Sequence, residues 1–149
     1  MAIQLRRFQD KDAADLFEWG QRIQTDATVD FYTVQNLADA MYRVHVFAQD
    51  PHIRAIVSKD HVIGYLELTP RPADYWEIGL IIDPDQRKQG VGQRVLRFIM
   101  ERKLKLAAVV DSRNLIAQAF FKNVGFQMHD QIPAWVQQDP STVRFFIWK

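Results

Sequence analysis

Apolar and polar positions alternate over residues 3–8, which predicts a strand. Asp10 and Asp12 then offer N-cap oxygens to a helix carrying Ala13, Ala14, Leu16, Phe17 and Trp19, with Gly20 near its end. A polar stretch over residues 21–30 separates it from a second helix at 34–46, where Leu37, Ala38, Met41 and Val44 or His45 share one face. Asp50-Pro51 breaks that helix. Residues 53–58 and 62–69 read as two strands of a hairpin around Lys59-Asp60-His61. A loop holding Pro70, Pro72 and Asp74 leads to a strand at 76–82. The helix predicted at 90–104 has the clearest stripe: Val91, Val95, Leu96, Ile99 and Leu104. A short buried strand at 106–110 follows, then a helix at 114–124 that Gly125 ends in a left-handed conformation. Strands at 126–132 and 143–148 close the chain, joined by a loop with Pro133 and Pro140.

The predicted order is β-α-α-β-β-β-α-β-α-β-β. The crossover over residues 76–110 calls for parallel neighbours, and the hairpins call for antiparallel ones. The expected fold is therefore an α/β (α+β) mixed sheet with helices on both faces. With 149 residues, no repeats and no internal linker, residues 1–149 are expected to form one domain.

Composition narrows the chemistry. A net charge of +1 gives no basic excess for nucleic-acid binding. The chain has no cysteine, so disulfides, thiolate metal sites and a thiol nucleophile are excluded. His45 and His52 lack metal-ligand spacing, and no metal is expected. No apolar run approaches the roughly 20 residues that span a bilayer, and the first residues lack a signal-peptide core. The expectation is a cytoplasmic protein with no membrane partner. No Gly-x-Ser-x-Gly elbow surrounds Ser112, which argues against a serine hydrolase.

The most informative stretch runs from Ile78 to Gly92: an apolar strand, an Asp83-Pro84 turn, a basic Gly-containing loop and a helix start. A helix that begins at such a loop presents unpaired N–H groups and a positive dipole end, which suit a pyrophosphate. Gly90 and Gly92 leave room for phosphate near the backbone, and Arg87 and Lys88 add charge. A dinucleotide fingerprint would need a third glycine at Val95, and a P-loop would need Gly-Lys-Ser/Thr; neither is present.

Arg87-x-x-Gly90-x-Gly92 after a strand resembles the acetyl-CoA loop of the GNAT superfamily of N-acetyltransferases. Downstream, Asn114-Leu115-Ile116-Ala117 and Phe121-Lys122-Asn123-Val124-Gly125-Phe126 resemble the superfamily's Asn-x-x-Ala…Tyr-x-x-x-Gly-Phe segment. The element order, with Gly64 in the third strand, resembles that fold from end to end.

The resemblance implies a mostly antiparallel seven-stranded sheet and acetyl-CoA as co-substrate. It implies a bulge in the 76–82 strand, which splays from the 106–110 strand. The pantetheine arm is expected there, on the backbone of Leu80, Ile81 and Ile82. Backbone N–H groups of Lys88, Gln89, Gly90, Val91, Gly92 and Gln93 are expected to hold the pyrophosphate beside Arg87. Asn114, Ala117, Phe120 and Phe121 are expected along the other side of the arm. An amine attacks the thioester directly in this reading, with a backbone N–H near Leu80 on the oxyanion.

A lysine-like amine is only roughly 0.04% neutral at pH 7, so a proton acceptor is needed. Glu77 is the candidate base, and Glu67 on the neighbouring strand is a weaker one. The family's usual acid, a Tyr four residues before Gly-Phe, is replaced by Phe121. Tyr65 and Tyr75 are alternative proton donors or packing residues, and His129, just past the Gly-Phe pair, is either a substrate contact or a surface histidine. Substrate choice is expected to rest on residues 21–32, 70–75 and 133–140, where Asp26, Asp30, Asp74 and Asp139 either favour a cation or are solvated loop charges, and Trp135 is placed to touch a substrate. A homodimer is expected. The rival reading is a non-catalytic acyl-CoA-binding module or sensor on the same fold.

Overall fold

The computed structural model describes residues 2–29 and 31–149. Asp30, one of the acidic residues expected near a substrate, lies outside the described residues. The chain falls into two compact units, Met1–Glu67 with Gly79–Gly92, and Leu68–Ile78 with Gln93–Lys149.

The first unit holds β1 (Gln4–Arg6), α1 (Ala13–Ile23), α2 (Leu37–Gln49), β2 (Ile53–Ser58) and most of β3 (His61–Arg71). Its core gathers Phe8, Leu16, Trp19, Ile23, Val34, Val44, Phe47, Ile53 and Tyr65. Fully burying one such large side chain stabilises by about 1.5–3 kcal/mol. The Trp19 indole N–H donates to the Val62 carbonyl at 3.0 Å, so this ring is buried without an orphaned donor.

The helix starts differ from the sequence reading for identifiable reasons. Asp12 does not cap α1 with its side chain. Its buried carboxylate accepts two hydrogen bonds from Arg6 at 2.8 Å and one from the Gln9 N–H at 2.7 Å. A single 3-10 turn, Asp10–Asp12, precedes the helix. Gly20 is interior to α1, because the helix runs on to bury Ile23. The second helix begins at Leu37, where Asn36 accepts from the Asp39 N–H at 2.8 Å. Val34 is not helical; it fills the core beside Gly20 instead. The β2–β3 turn needs only Lys59 and Asp60, both at positive φ (52° and 63°), so His61 already belongs to β3.

The second unit holds the start of β4 (Tyr75–Ile82), most of α3 (Val91–Met100), β5 (Lys105–Asp111), α4 (Leu115–Asn123), β6 (Gln127–His129) and β7 (Val143–Trp148). Val95, Leu96 and Ile99 are buried as the stripe predicted. Leu104 is not part of the helix, which stops at Met100 and turns through Lys103 at φ 57°. The predicted strand at 126–132 shrinks to Gln127–His129. It pairs on one side only, with β7, and Phe126 turns inward to pack on Phe121.

The strands hydrogen-bond in the order β1-β2-β3-β4-β5-β7-β6, a seven-stranded mixed sheet. The β4–β5 pair is parallel, and β1–β2, β2–β3, β5–β7 and β6–β7 are antiparallel. No helix among the described residues is long and apolar enough to cross a membrane.

Candidate active site

The loop after β4 is anchored from behind. The Asp83 N–H donates to the Ile63 carbonyl at 2.8 Å, continuing the β3 contact. Its buried carboxylate accepts from Arg22 Nε and Nη2 at 3.0–3.2 Å and from the Asp85 N–H at 3.0 Å. Pro84–Gln86 form one 3-10 turn. Arg87, Lys88, Gln89 and Gly90 are then exposed, and buried Val91 pins the start of α3.

Two loop residues are left-handed, Lys88 at φ 64° and Gly90 at φ 77°. A Cβ on Gly90 would meet nothing within 4 Å, so no packing within the protein excludes a side chain there. Among the described residues, neither Arg87 nor Lys88 forms an ion pair. Two cations without partners beside the exposed start of a helix fit a group carrying several phosphate charges.

The strand leading into this loop is held close to β3. An ideal Cβ on Gly64 would lie 2.6 Å from the Ile81 carbonyl oxygen and 3.1 Å from Ile56 Cδ1 and Ile82 Cδ1. Only glycine permits that approach. Gly79 faces β3 as well, with Glu67 Cβ 3.5 Å and Tyr65 Cε1 3.9 Å from its missing Cβ. The β4–β5 ladder pairs Tyr75, Trp76 and Glu77 of β4, and Leu80, Ile81 and Ile82 lie beyond it.

In the second unit, Asn114 caps α4: its Oδ1 accepts from the Ala117 N–H at 3.0 Å. Ala117 and Phe120 are half-buried. Phe121 is buried, with ring centroids 5.2 Å from Phe120, 5.1 Å from Phe126 and 6.1 Å from Phe146. It is a core residue of this unit as well as the residue standing where the family's acid would be.

Glu77 has a partner that no sequence spacing announced. Arg71 Nε donates to Glu77 Oε1 at 2.8 Å, and Nη2 lies 2.8 Å from the same oxygen in the ion pair. The guanidinium also sits 5.5 Å above the Trp135 ring, which packs against Tyr75 and Phe145. Lys105 covers Tyr75 at 3.8 Å. The β3 strand runs on to Arg71, past the predicted end at 69, and the Pro72–Asp74 turn then folds Glu77 back beside it. Pro70-Arg71-Pro72 looked like plain loop, and that masked the pair.

The alternative proton carriers are less suited. Tyr65 is buried, and burial pushes its hydroxyl far above the usual tyrosine value, with the charge of Glu67 and a hydrogen bond to it adding. That disqualifies it as an acid near neutral pH. His129 is exposed on β6, and His45 bonds Gln49 within α2.

Residues 13–126 match the acetyltransferase (GNAT) family. The chain belongs to that family. It is 30% identical over 129 residues to the peptidyl-lysine N-acetyltransferase YjaB of Salmonella typhimurium, which covers 86% of each chain. The crystal structure of an acetyltransferase from Thermus thermophilus superposes with a TM-score of 0.73 at 22% identity, covering 99% of this chain and 97% of that one. The microcin C7 self-immunity acetyltransferase MccE, solved with acetyl-CoA and AMP, gives 0.79 at 15% identity over 98% and 91%. These likenesses carry the same mixed fold, and membership makes this GNAT chain an acyltransferase.

Proposed function

We propose that residues 1–149 act as one N-acetyltransferase domain that moves an acetyl group from acetyl-CoA to a primary amine. The observation that carries this reading is the loop from Arg87 to Gly92. It joins exposed cations that form no ion pair among the described residues, two left-handed residues and a helix start, on a chain whose family match runs through both compact units. The relatives' named activity on peptidyl lysine is consistent with an amine acceptor.

The residues present fit the co-substrate. Lys88, Gln89, Gly90, Val91, Gly92 and Gln93 would bind the pyrophosphate through backbone N–H groups, with Arg87 adding charge. Leu80, Ile81 and Ile82, which lie past the β4–β5 ladder, would hold the pantetheine arm by their backbone. Asn114, Ala117, Phe120 and Phe121 would line it. Acetyl-CoA supplies an activated thioester, and the Leu80 N–H would stabilise the developing oxyanion. One such donor contributes on the order of 10²–10³ in rate.

Glu77 would take the proton of the incoming ammonium. Arg71 grips Oε1 and so fixes the carboxylate's orientation, which leaves Oε2 to face a substrate. With Phe121 in place of a tyrosine, the leaving thiolate would draw its proton from water. The same replacement favours the sensor reading, in which acetyl-CoA binds without turnover. A homodimer would use the edge strands, β1 or β6.

Thermal unfolding with acetyl-CoA, NAD and ATP in parallel tests the cofactor. At 100 times its dissociation constant a ligand adds about 2.7 kcal/mol, a rise of several degrees for a chain of this size. A rise with acetyl-CoA alone is expected, and none at millimolar acetyl-CoA would refute the loop assignment. CoA release on a panel of primary amines separates the enzyme from the sensor.

Glu77→Gln should leave the acetyl-CoA shift unchanged and lower turnover at least tenfold. The loss should be greatest below neutral pH and shrink as the amine deprotonates by itself. A wild-type pH–rate profile would remove Glu77 as the base.

A further inference from the structure

Glu67 is a half-buried carboxylate on β3 with an unusual set of neighbours. Of the other half-buried or buried carboxylates, Asp12, Asp15, Asp83 and Glu77 pair with Arg6, His61, Arg22 and Arg71, and Asp50 and Asp111 pair with His52 and Arg113, whereas Asp39 accepts from the Gln35 N–H. No cation among the described residues pairs with Glu67. The Tyr65 ring lies two residues back on the same strand face, and both side chains come within 4.0 Å of where a Gly79 Cβ would stand.

Withdrawing a carboxylate from water without a counter-charge is costly, so such a group is retained where a cation arrives from outside. Gly79 lies opposite, and its missing Cβ would stand 3.5 Å from Glu67 Cβ and 4.0 Å from Oε1. Behind Glu67, Tyr65 packs edge-on against Phe31 at 5.1 Å and tilted against Phe47 at 5.0 Å. Tyr32, partly exposed, extends the same aromatic wall. A carboxylate beside partly exposed aromatic rings matches an ammonium on an alkyl stem: the charge meets Glu67 and the methylenes lie on Phe31 and Tyr32, since Tyr65 and Phe47 are buried.

We propose that Glu67, oriented by Tyr65 and given room by Gly79, binds the ammonium group of an alkylamine acceptor and selects it over uncharged acceptors. This deepens the acetyl-transfer reading and rests on it. Glu67 binds and orients the acceptor and does not take its proton. Tyr65 is a positioning residue: its hydroxyl, held far above the usual tyrosine range, stays a hydrogen-bond donor at every working pH.

The test uses an Nα-blocked, lysine-containing tripeptide as acceptor. Two unreactive analogues serve as inhibitors, one with dimethyllysine, which keeps the charge, and one with norleucine, which does not. Glu67→Gln keeps the side-chain shape, so the fold and the acetyl-CoA thermal shift should be retained. Its KM for the lysine peptide should rise at least tenfold, with kcat changed less than threefold. Inhibition by the dimethyllysine peptide should weaken by the same factor, and inhibition by the norleucine peptide should not change. Tyr65→Phe should raise KM in the same direction by a smaller factor.

Equal weakening of both inhibitors would show a merely structural role and overturn the proposal. So would an unchanged KM, or a wild-type protein that binds acetyl-CoA yet fails to acetylate the lysine peptide. An absent acetyl-CoA shift in the wild type would instead overturn the acetyl-transfer reading, and this inference with it.

Discussion

Gly90→Asp is expected to weaken acetyl-CoA binding about a hundredfold while leaving the protein folded. A carboxylate at that position would stand beside the phosphates the loop is proposed to hold. At about 6 Å and an effective dielectric of about 20, one such repulsion costs about 3 kcal/mol. The backbone contributes less: Gly90 sits at φ 77°, and a left-handed residue costs about 1–2 kcal/mol, with Asp among the better tolerated. Lys88 already occupies φ 64° two residues earlier, so the loop accepts a side chain in that conformation. Nothing lies within 4 Å of the new Cβ to be displaced. Gly90→Ala separates the effects, because it carries the backbone cost without the charge. Calorimetric titration with acetyl-CoA should rank wild type, Ala and Asp in that order, with the large step between Ala and Asp. Equal affinities for Ala and Asp would mean that no phosphate sits at this loop.

Gly64→Ala should produce the largest loss of stability. The added methyl would stand 2.6 Å from a backbone oxygen, that of Ile81, with Ile56 and Ile82 at 3.1 Å on its flanks. A flexible side chain could swing away; a carbonyl inside a strand contact cannot. Overpacking of this kind costs about 1–3 kcal/mol, or roughly 3–10 °C in melting temperature. Any shift of Ile81 also disturbs the backbone proposed to hold the pantetheine arm, so acetyl-CoA affinity should fall together with stability. Gly20→Ala is the informative contrast. It lies inside α1, its Cβ would meet Val34 at an ordinary 3.7 Å, and replacing a helical glycine with alanine gains about 0.5–1 kcal/mol. Thermal melts should therefore move in opposite directions for the two substitutions. A Gly64→Ala melt no lower than wild type would show that β3 and β4 can separate there without cost.

Much of the architecture could be read from local pattern. The stripe of Val91, Val95, Leu96 and Ile99 marked α3, and Asn114 and Gly125 bracketed α4 through capping chemistry. The errors were at ends, where tertiary demands outweighed local signals. Ile23 drew α1 past Gly20, and the Arg6 ion pair took Asp12 from its cap. The early arrest of α3 and the shortness of β6 depend on a lysine in a left-handed turn and on an edge position; neither leaves a pattern in composition.

The candidate site divides the same way. Arg87, Gly90 and Gly92 stand in contiguous sequence, because a phosphate loop is a local object: a turn, two left-handed residues and a helix start. The family could be recognised for that reason, and the match over residues 13–126 agrees. Side-chain partners are not local. That Arg71 grips Glu77, that Arg22 locks Asp83 and that Glu67 meets Gly79 across two strands all depend on strand register and turn geometry. The sequence by itself determined the elements, their order and the phosphate loop, since hydrophobic periodicity and glycine punctuation act over a few residues. Only the tertiary structure decided which carboxylates carry counter-charges and which do not, since a charge's partner is set by where the chain returns in space.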